Sequence, residues 1–220
     1  MTADADLLGQ FVALDTATVS DALDICGLPP GQGGLPPMWG RPRIAGFAAT
    51  VELEPLDAER AGAHILTSAI AEAGAENVMV VANGGRVDVS CWGGLVSVGA
   101  AMRSIRGVVA DGACRDVGQA RDLGFPVFAR AQVPVTARGR LRQKSAGGPI
   151  RLGQVTVNPG DVVMADEGGV VVVPRARAAE VLDAARGVRA REEQIEREVR
   201  AGVPLPRAMR DARLAGKEVP

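Results

Sequence analysis

Arg115 and Asp116 stand side by side at the end of the run Val108-Val109-Ala110-Asp111-Gly112-Ala113-Cys114, and twenty residues separate Gly94 from the pair. An arginine next to an aspartate sets a permanent cation beside a hard oxygen ligand, a combination suited to an anionic substrate and a divalent metal ion. Upstream, Gly93-Gly94-Leu95-Val96 opens a mostly apolar stretch with helical spacing. Unpaired backbone N–H groups at such a glycine-rich helix start attract a carboxylate. The separation lets one helix pack back on a strand, so that the glycine turn and the Arg115-Asp116 pair face one pocket. The chemistry this implies is capture of a small dianionic acid together with a metal ion.

The elements that must position these groups read as a helix over 93–106, a strand over 107–111, a short helix over 116–123 and a new strand from 126 to 129. Ahead of them, Leu7, Leu8, Phe11, Val12 and Leu14 follow helical spacing, and Thr18-Val19-Ser20-Asp21 supplies caps for a second short helix ending near Gly27. A Pro/Gly-rich surface loop covers 28–42, and residues 44–54 alternate as a strand does. Helical spacing returns over 59–73, and 78–82 form a buried strand closed by an Asn83-Gly84-Gly85 turn. Short strands over 133–138, 154–157, 161–165 and 169–173 follow, separated by turns such as Asn158-Pro159-Gly160-Asp161. A long charged helix runs from Pro174 to about Arg200, where Gly202-Val203-Pro204 stops it. The order predicts an α/β domain over 1–174 with a second, strand-rich layer, and a C-terminal helix and tail over 175–220.

At 220 residues and 47% apolar composition the chain can bury a full core. Its 25 basic and 26 acidic residues leave a formal charge of −1, and only Lys144 and Lys217 are lysines, which disfavours nucleic acid and anionic membranes as partners. No apolar run approaches the ~18 residues of a membrane span. The opening Met1-Thr2-Ala3-Asp4-Ala5-Asp6 is acidic where a secretory leader is basic, so a cytoplasmic location is expected. Cys26, Cys91 and Cys114 are scattered, with no C-x-x-C pair, and read as reduced thiols rather than a zinc site.

The segment from Val89 to Asp116, with the later string 153–174 that includes Asn158-Pro159-Gly160-Asp161 and Asp166-Glu167-Gly168-Gly169, resembles the RraA-like family, which includes 4-hydroxy-4-methyl-2-oxoglutarate / 4-carboxy-4-hydroxy-2-oxoadipate aldolases. The likeness covers about residues 14 to 204. It implies a three-layer β/β/α fold of the swivelling-domain type, assembled as a homotrimer or homohexamer, with 175–220 packing on a neighbouring subunit. It also implies a lyase that uses Mg²⁺ or Mn²⁺ to cleave a 4-hydroxy-2-oxo diacid to pyruvate and that decarboxylates oxaloacetate. By position, the family's substrate-binding turn falls on Gly93, Gly94, Leu95 and Val96, its substrate-binding arginine on Arg115 and its metal-binding aspartate on Asp116. Such a metal ion acts as a Lewis acid toward an enolate, and Arg115 adds fixed positive charge where negative charge develops.

One departure bears on the chemistry. In the aldolases resembled, the position of Gly94 is commonly acidic and supports the metal through water. Asp111, five residues before Asp116, is the carboxylate that could compensate or else cap a loop, and the resemblance implies that the C-terminal helix presents a glutamate, Glu193, at a neighbouring subunit. Two further readings follow from the resemblance: a regulatory protein of the ribonuclease-inhibitor type, and the same site repurposed for another enolate reaction.

Other candidates have plainer readings. His64, the only histidine, lies among Ala61, Ile65 and Ile70 and reads as a packed or interface residue rather than a base. Arg138, Arg140, Arg142 and Lys144 alternate, so an extended backbone puts them on one face, either an anion patch or a charge-protected strand edge; Lys144 is the only lysine near these motifs that a Schiff-base route could use. Asp166-Glu167-Gly168-Gly169 reads as a hairpin turn, Glu193 as the i,i+4 partner of Arg197, and Cys91 and Cys114 as small buried hydrophobes.

Overall fold

A computed structural model describes residues 3–56 and 64–210. Four parallel strands, β1 (Ile44–Pro55), β2 (Asn77–Trp92), β3 (Val108–Cys114) and β4 (Val127–Gln132), lie in the order β4-β3-β2-β1. The crossovers between them carry α3 (Thr67–Glu72), α4 (Gly94–Met102) and α5 (Val117–Asp122). The far edge of β1 is shared by two antiparallel partners, β8 (Val162–Asp166) along Ile44 to Phe47 and β5 (Leu141–Ala146) along Val51 to Pro55. β9 (Gly169–Val173) pairs with β8 and completes a seven-stranded sheet.

Period-two alternation sends successive side chains to opposite faces. Met79, Val81, Val108, Ala110, Val127 and Ala129 pack under α3, α4 and α5 through Ile70, Ala100 and Ala120. On the other face, Val78, Val80, Val109 and Phe128 meet a small hairpin of β6 (Ile150–Leu152) and β7 (Val155–Val157). The layers are therefore hairpin, sheet and helices, the β/β/α arrangement expected. A second helical group, α1 (Ala3–Val12), α2 (Thr16–Ile25) and the start of α6 (Ala178–Arg200), covers Ala45, Phe47, Val162, Met164, Val171 and Val173. In α6 only Ala178, Val181, Leu182, Ala185 and Val188 are buried, so its second half carries no buried residue.

Several local expectations are corrected. Asn83-Gly84-Gly85 does not close a strand: both glycines have positive φ, yet β2 runs on to Trp92, with shifts of register against β3 between Ala82 and Trp92. β3 continues past Asp111 to Cys114, and α4 stops at Met102. Residues 133–138 form a loop, held by Val135, whose carbonyl accepts from the N–H and the hydroxyl of Ser90. α2 is capped by Asp15, not by Thr18 to Asp21; the Asp15 carboxylate accepts from the Thr18 N–H at 2.8 Å. Burial pushes the Asp15 pKa up, but the Thr18 bonds and Arg43 outweigh it and hold the group below its ordinary value.

Candidate functional site

β2 and β3 end in register, Trp92 opposite Cys114, and the Arg115 N–H donates to the Trp92 carbonyl at 2.9 Å. Gly93 and Arg115 therefore leave the sheet side by side, at the carboxyl end where open α/β sheets bind ligands. Gly93 is the extended N-cap of α4 (φ −154°), so its φ does not demand glycine, and a side chain there would only crowd its neighbours. A Cβ there would stand 3.3 Å from Arg115 Nε and from Asp116 Oδ2. A Cβ on Gly94 would overlap the Gln119 amide oxygen and lie 3.1 Å from the Asp116 Cβ. The turn is further held by Trp92 Nε1, which donates to Ser97 Oγ at 2.8 Å, and by Ser97 Oγ, which donates to the Gly93 carbonyl at 3.0 Å.

Asp116 adopts the left-handed conformation (φ 56°, ψ 36°), which aspartate tolerates better than most residues. Its Oδ2 accepts from the Gly94 N–H at 3.1 Å and lies 3.2 Å from Arg115 Nε. The side chain is 45% exposed, and among the described residues Oδ1 and both terminal nitrogens of Arg115 carry no hydrogen bond. An anionic oxygen and the outer edge of a guanidinium are thus left for a ligand.

Arg115 and Gly93, Gly94, Leu95 and Val96 line a cavity of about 750 Å³; Asp116 does not line it but is bonded to Gly94 and paired with Arg115, which do. Ser90, Thr136 and Arg138 also line it, and so does His64. His64 is exposed, precedes α3, and has Nδ1 3.2 Å from the Ile65 carbonyl, so of the two readings expected, packed or interface, the packed one does not hold. The part of the expected 59–73 helix over 59–63 lies outside the described residues. The contribution of His64, Ser90 and Arg138 was missed because nothing local marks it: each reaches the cavity through a loop or strand end brought in by tertiary pairing.

Asp111, expected as a supporting carboxylate, is not brought to Asp116. Asp111 sits within β3, buried, where Oδ1 accepts from Arg130 Nε at 2.5 Å and Oδ2 from the Gly153 N–H at 3.3 Å. Those partners belong to the hairpin side of the sheet. Glu193 pairs with Arg189 at 2.9 Å, not with Arg197, and borders a groove with Gln10, Leu14 and Arg186 that shares no residue with the cavity. The one-face basic patch does not form either: Arg142 pairs with Glu54 and Lys144 with Glu52 across β1, while Arg138 lines the cavity. The hydrogen bond to Glu52 raises the Lys144 pKa, the reverse of what a Schiff-base amine needs. Burial pushes the Cys91 thiol up to about 12 and the Cys114 thiol up to about 11, so both stay protonated and offer no soft metal ligand.

The RraA-like family profile, described as Aldolase/RraA, matches residues 16–172. This chain belongs to the RraA-like family. Protein DlpA of Legionella pneumophila is 32% identical over 206 residues, 94% of this chain, and this chain spans 34% of the length of DlpA. A Halalkalibacterium halodurans protein named "Putative 4-hydroxy-4-methyl-2-oxoglutarate aldolase" is 31% identical over 206 residues, 94% of each chain. Among solved structures, an uncharacterized protein from Pseudomonas syringae pv. tomato superposes with a TM-score of 0.86 at 33% identity, covering 93% of this chain and 92% of that one. Streptomyces coelicolor RraAS2, described as an unusual member of the RNase ES inhibitor RraA protein family, superposes with a TM-score of 0.79 at 26% identity, covering 90% and 98%. RraA-like membership thus joins the fold to relatives named both as aldolases and as inhibitor-family members. No helix among the described residues is long and apolar enough to cross a membrane.

Proposed function

We propose that the chain is a divalent-metal-dependent carbon-carbon lyase acting on a small 4-hydroxy-2-oxo diacid, by retro-aldol cleavage that yields pyruvate, and on oxaloacetate by decarboxylation. The observation that carries this reading is the Asp116 carboxylate bonded to the first N–H of α4 and paired with Arg115, both partners being residues that line the cavity.

The donor set fits a hard ion. Among the described residues no three His, Cys, Asp or Glu side chains gather as a metal cluster, which is not how a closed zinc site is made. Mg²⁺ or Mn²⁺ needs one or two carboxylates and keeps several waters, and Asp116 with an unbonded Oδ1 meets that need. Bound there, the ion would supply Lewis-acid withdrawal of charge from the 2-oxo acid.

The chain's own residues account for the rest. The Leu95 and Val96 N–H groups, in the first turn of α4, have no helical acceptor and hold the substrate carboxylate. In the retro-aldol step the C3–C4 bond breaks, its electrons pass to the C2 oxygen, and the 4-hydroxyl proton passes to water as the second carbonyl forms. Arg115, held through Nε, presents its terminal nitrogens to that oxygen and stabilises the enolate charge. The enolate then takes a proton from water at C3 to give pyruvate. The working form is a cytoplasmic homo-oligomer, trimer or hexamer, in which the exposed half of α6, with Glu193, packs on a neighbouring subunit; neither nucleic acid nor membrane is a partner.

The test is pyruvate release from 4-hydroxy-4-methyl-2-oxoglutarate and from oxaloacetate, with Mg²⁺, with Mn²⁺ and with EDTA. Metal-dependent turnover that EDTA abolishes is expected. A folded protein with no turnover on either acid would overturn the reading. The likeness to RraAS2, together with the missing acid at Gly94, favours a second reading, inhibition of a ribonuclease by surface contact. A pull-down that recovers a ribonuclease, with an Asp116→Asn variant that still inhibits it, would establish that alternative.

A further inference from the structure

Resting on the metal reading above, we infer that the Gln119 carboxamide is the second protein oxygen donor to the divalent cation at Asp116, taking the space that a side chain at position 94 would fill.

Three observations converge on Gln119. An ideal Cβ on Gly94 would collide with its amide oxygen, with its Cδ 2.8 Å away, so the carboxamide lies against the Gly94 backbone in the volume where a residue-94 side chain begins. The same point is 3.1 Å from the Asp116 Cβ, so the Gln119 amide and the Asp116 side chain both border Gly94 at the start of α4.

The second observation is what the two side chains do not do. Asp116 is the N-cap of α5 and Gln119 lies three residues on, the spacing at which a cap acceptor and a Gln or Glu bond each other's backbone N–H groups. Asp116 makes no side-chain cap bond, because its left-handed backbone turns the carboxylate toward Gly94 and Arg115. Gln119 makes no reciprocal bond, and among the described residues nothing hydrogen-bonds its amide. Two polar side chains with a local use are both diverted to one place outside the helix.

The third is chemical. Within the chain, Asp111 is bonded to Arg130 and Glu193 borders a groove apart from the cavity, so neither reaches Asp116 from its own subunit. A carboxamide oxygen is a hard donor of the kind Mg²⁺ and Mn²⁺ accept, but a neutral one. A site of one aspartate, one glutamine and Arg115 is more positive than one holding two carboxylates. It therefore favours a substrate that arrives as a dianion and brings the missing negative charge itself.

The experiment is direct Mn²⁺ binding to the full chain, read by the electron paramagnetic resonance of free Mn²⁺ and by calorimetry, without substrate. Gln119 is exposed on α5, so its variants should unfold at the wild-type temperature. Asp116→Asn is expected to remove binding. Gln119→Ala should weaken it about tenfold, the low end for loss of a group supporting a metal site, and Gln119→Glu should tighten it. If Asp116→Asn leaves Mn²⁺ affinity unchanged, the metal site itself is misplaced. Where Asp116→Asn abolishes binding but Gln119→Ala and Gln119→Glu both bind as wild type does, only the role given to Gln119 falls.

Discussion

The Asp116 carboxylate accepts the N–H of Gly94 at 3.1 Å, tying the residue after β3 to the first turn of α4. That bond needs an acceptor at residue 116, and the left-handed backbone there needs a residue that tolerates positive φ. Asparagine meets both requirements and lacks the charge. Asp116→Asn should therefore keep wild-type stability and lose metal-dependent turnover. Asp116→Ala should also lose about 1–2 kcal/mol of stability, since alanine in this conformation is strained. Urea midpoints set beside turnover of the two variants check the pair, and equal midpoints would refute the conformational half.

Arg115 spends Nε on Asp116 and keeps its terminal nitrogens unpaired among the described residues, facing the cavity. Removing a donor aimed at developing negative charge typically costs about 10²–10³ in rate. Arg115→Ala should show that loss in kcat, beyond any rise in KM. Arg115→Lys should recover only a small part, because one ammonium cannot hold Asp116 and reach the substrate at once. A lysine variant with near wild-type kcat would show that the fork geometry is irrelevant.

The βαβ rhythm around the site was legible in the sequence because it is set locally. Glycines mark the α4 entry, the Val108 run marks β3, and the distance between them fits one crossover. The place of Arg115 and Asp116 at the end of that strand is legible for the same reason, whereas the roles given to them come from the family resemblance. What could not be read is what distant partners decide. Asp111 looked like a reserve ligand until β4 supplied Arg130 and the hairpin supplied Gly153. The alternating basic run lost its common face because its two halves differ in structure: Arg138 and Arg140 sit in the turn before β5, whereas Arg142 and Lys144 meet glutamates of β1. Gly84-Gly85 carried a turn signal, and both residues do have positive φ, yet pairing with β3 resumes beyond them. Gln119 was passed over because a helical glutamine has no sequence signature until the space above Gly94 is seen.

Asp111 and Arg130 form a pair in which the carboxylate is buried and the guanidinium only partly exposed. Removing one partner leaves the other charge uncompensated, at about 3–5 kcal/mol for a fully buried pair and less here because Arg130 reaches solvent. Asp111→Ala should lower the urea midpoint and leave the KM for the oxo acid and the Mn²⁺ affinity of the folded protein unchanged. A tenfold loss of Mn²⁺ affinity with little loss of stability would return Asp111 to the metal site.

Cys91 and Cys114 are both inaccessible, and burial raises their pKa from the ordinary 9.0 to about 12 and about 11. Cys26 is partly exposed. Ellman's reagent should thus label Cys26 in the native protein and all three thiols in urea. The same shifts fix an alkaline limit. A thiol whose folded pKa lies above its unfolded value contributes fully below pH 9, and that contribution is lost as the pH climbs toward 11 and 12, because only the unfolded chain ionises in between. The slope is up to about 1.4 kcal/mol per pH unit for each thiol. With no tyrosine and only two lysines in the chain, few other side chains titrate there. Urea midpoints at pH 8, 9 and 10 should fall progressively, and more shallowly in a Cys91→Ala/Cys114→Ala variant. Parallel pH slopes in the two proteins would show that ionisation of these thiols does not set the limit.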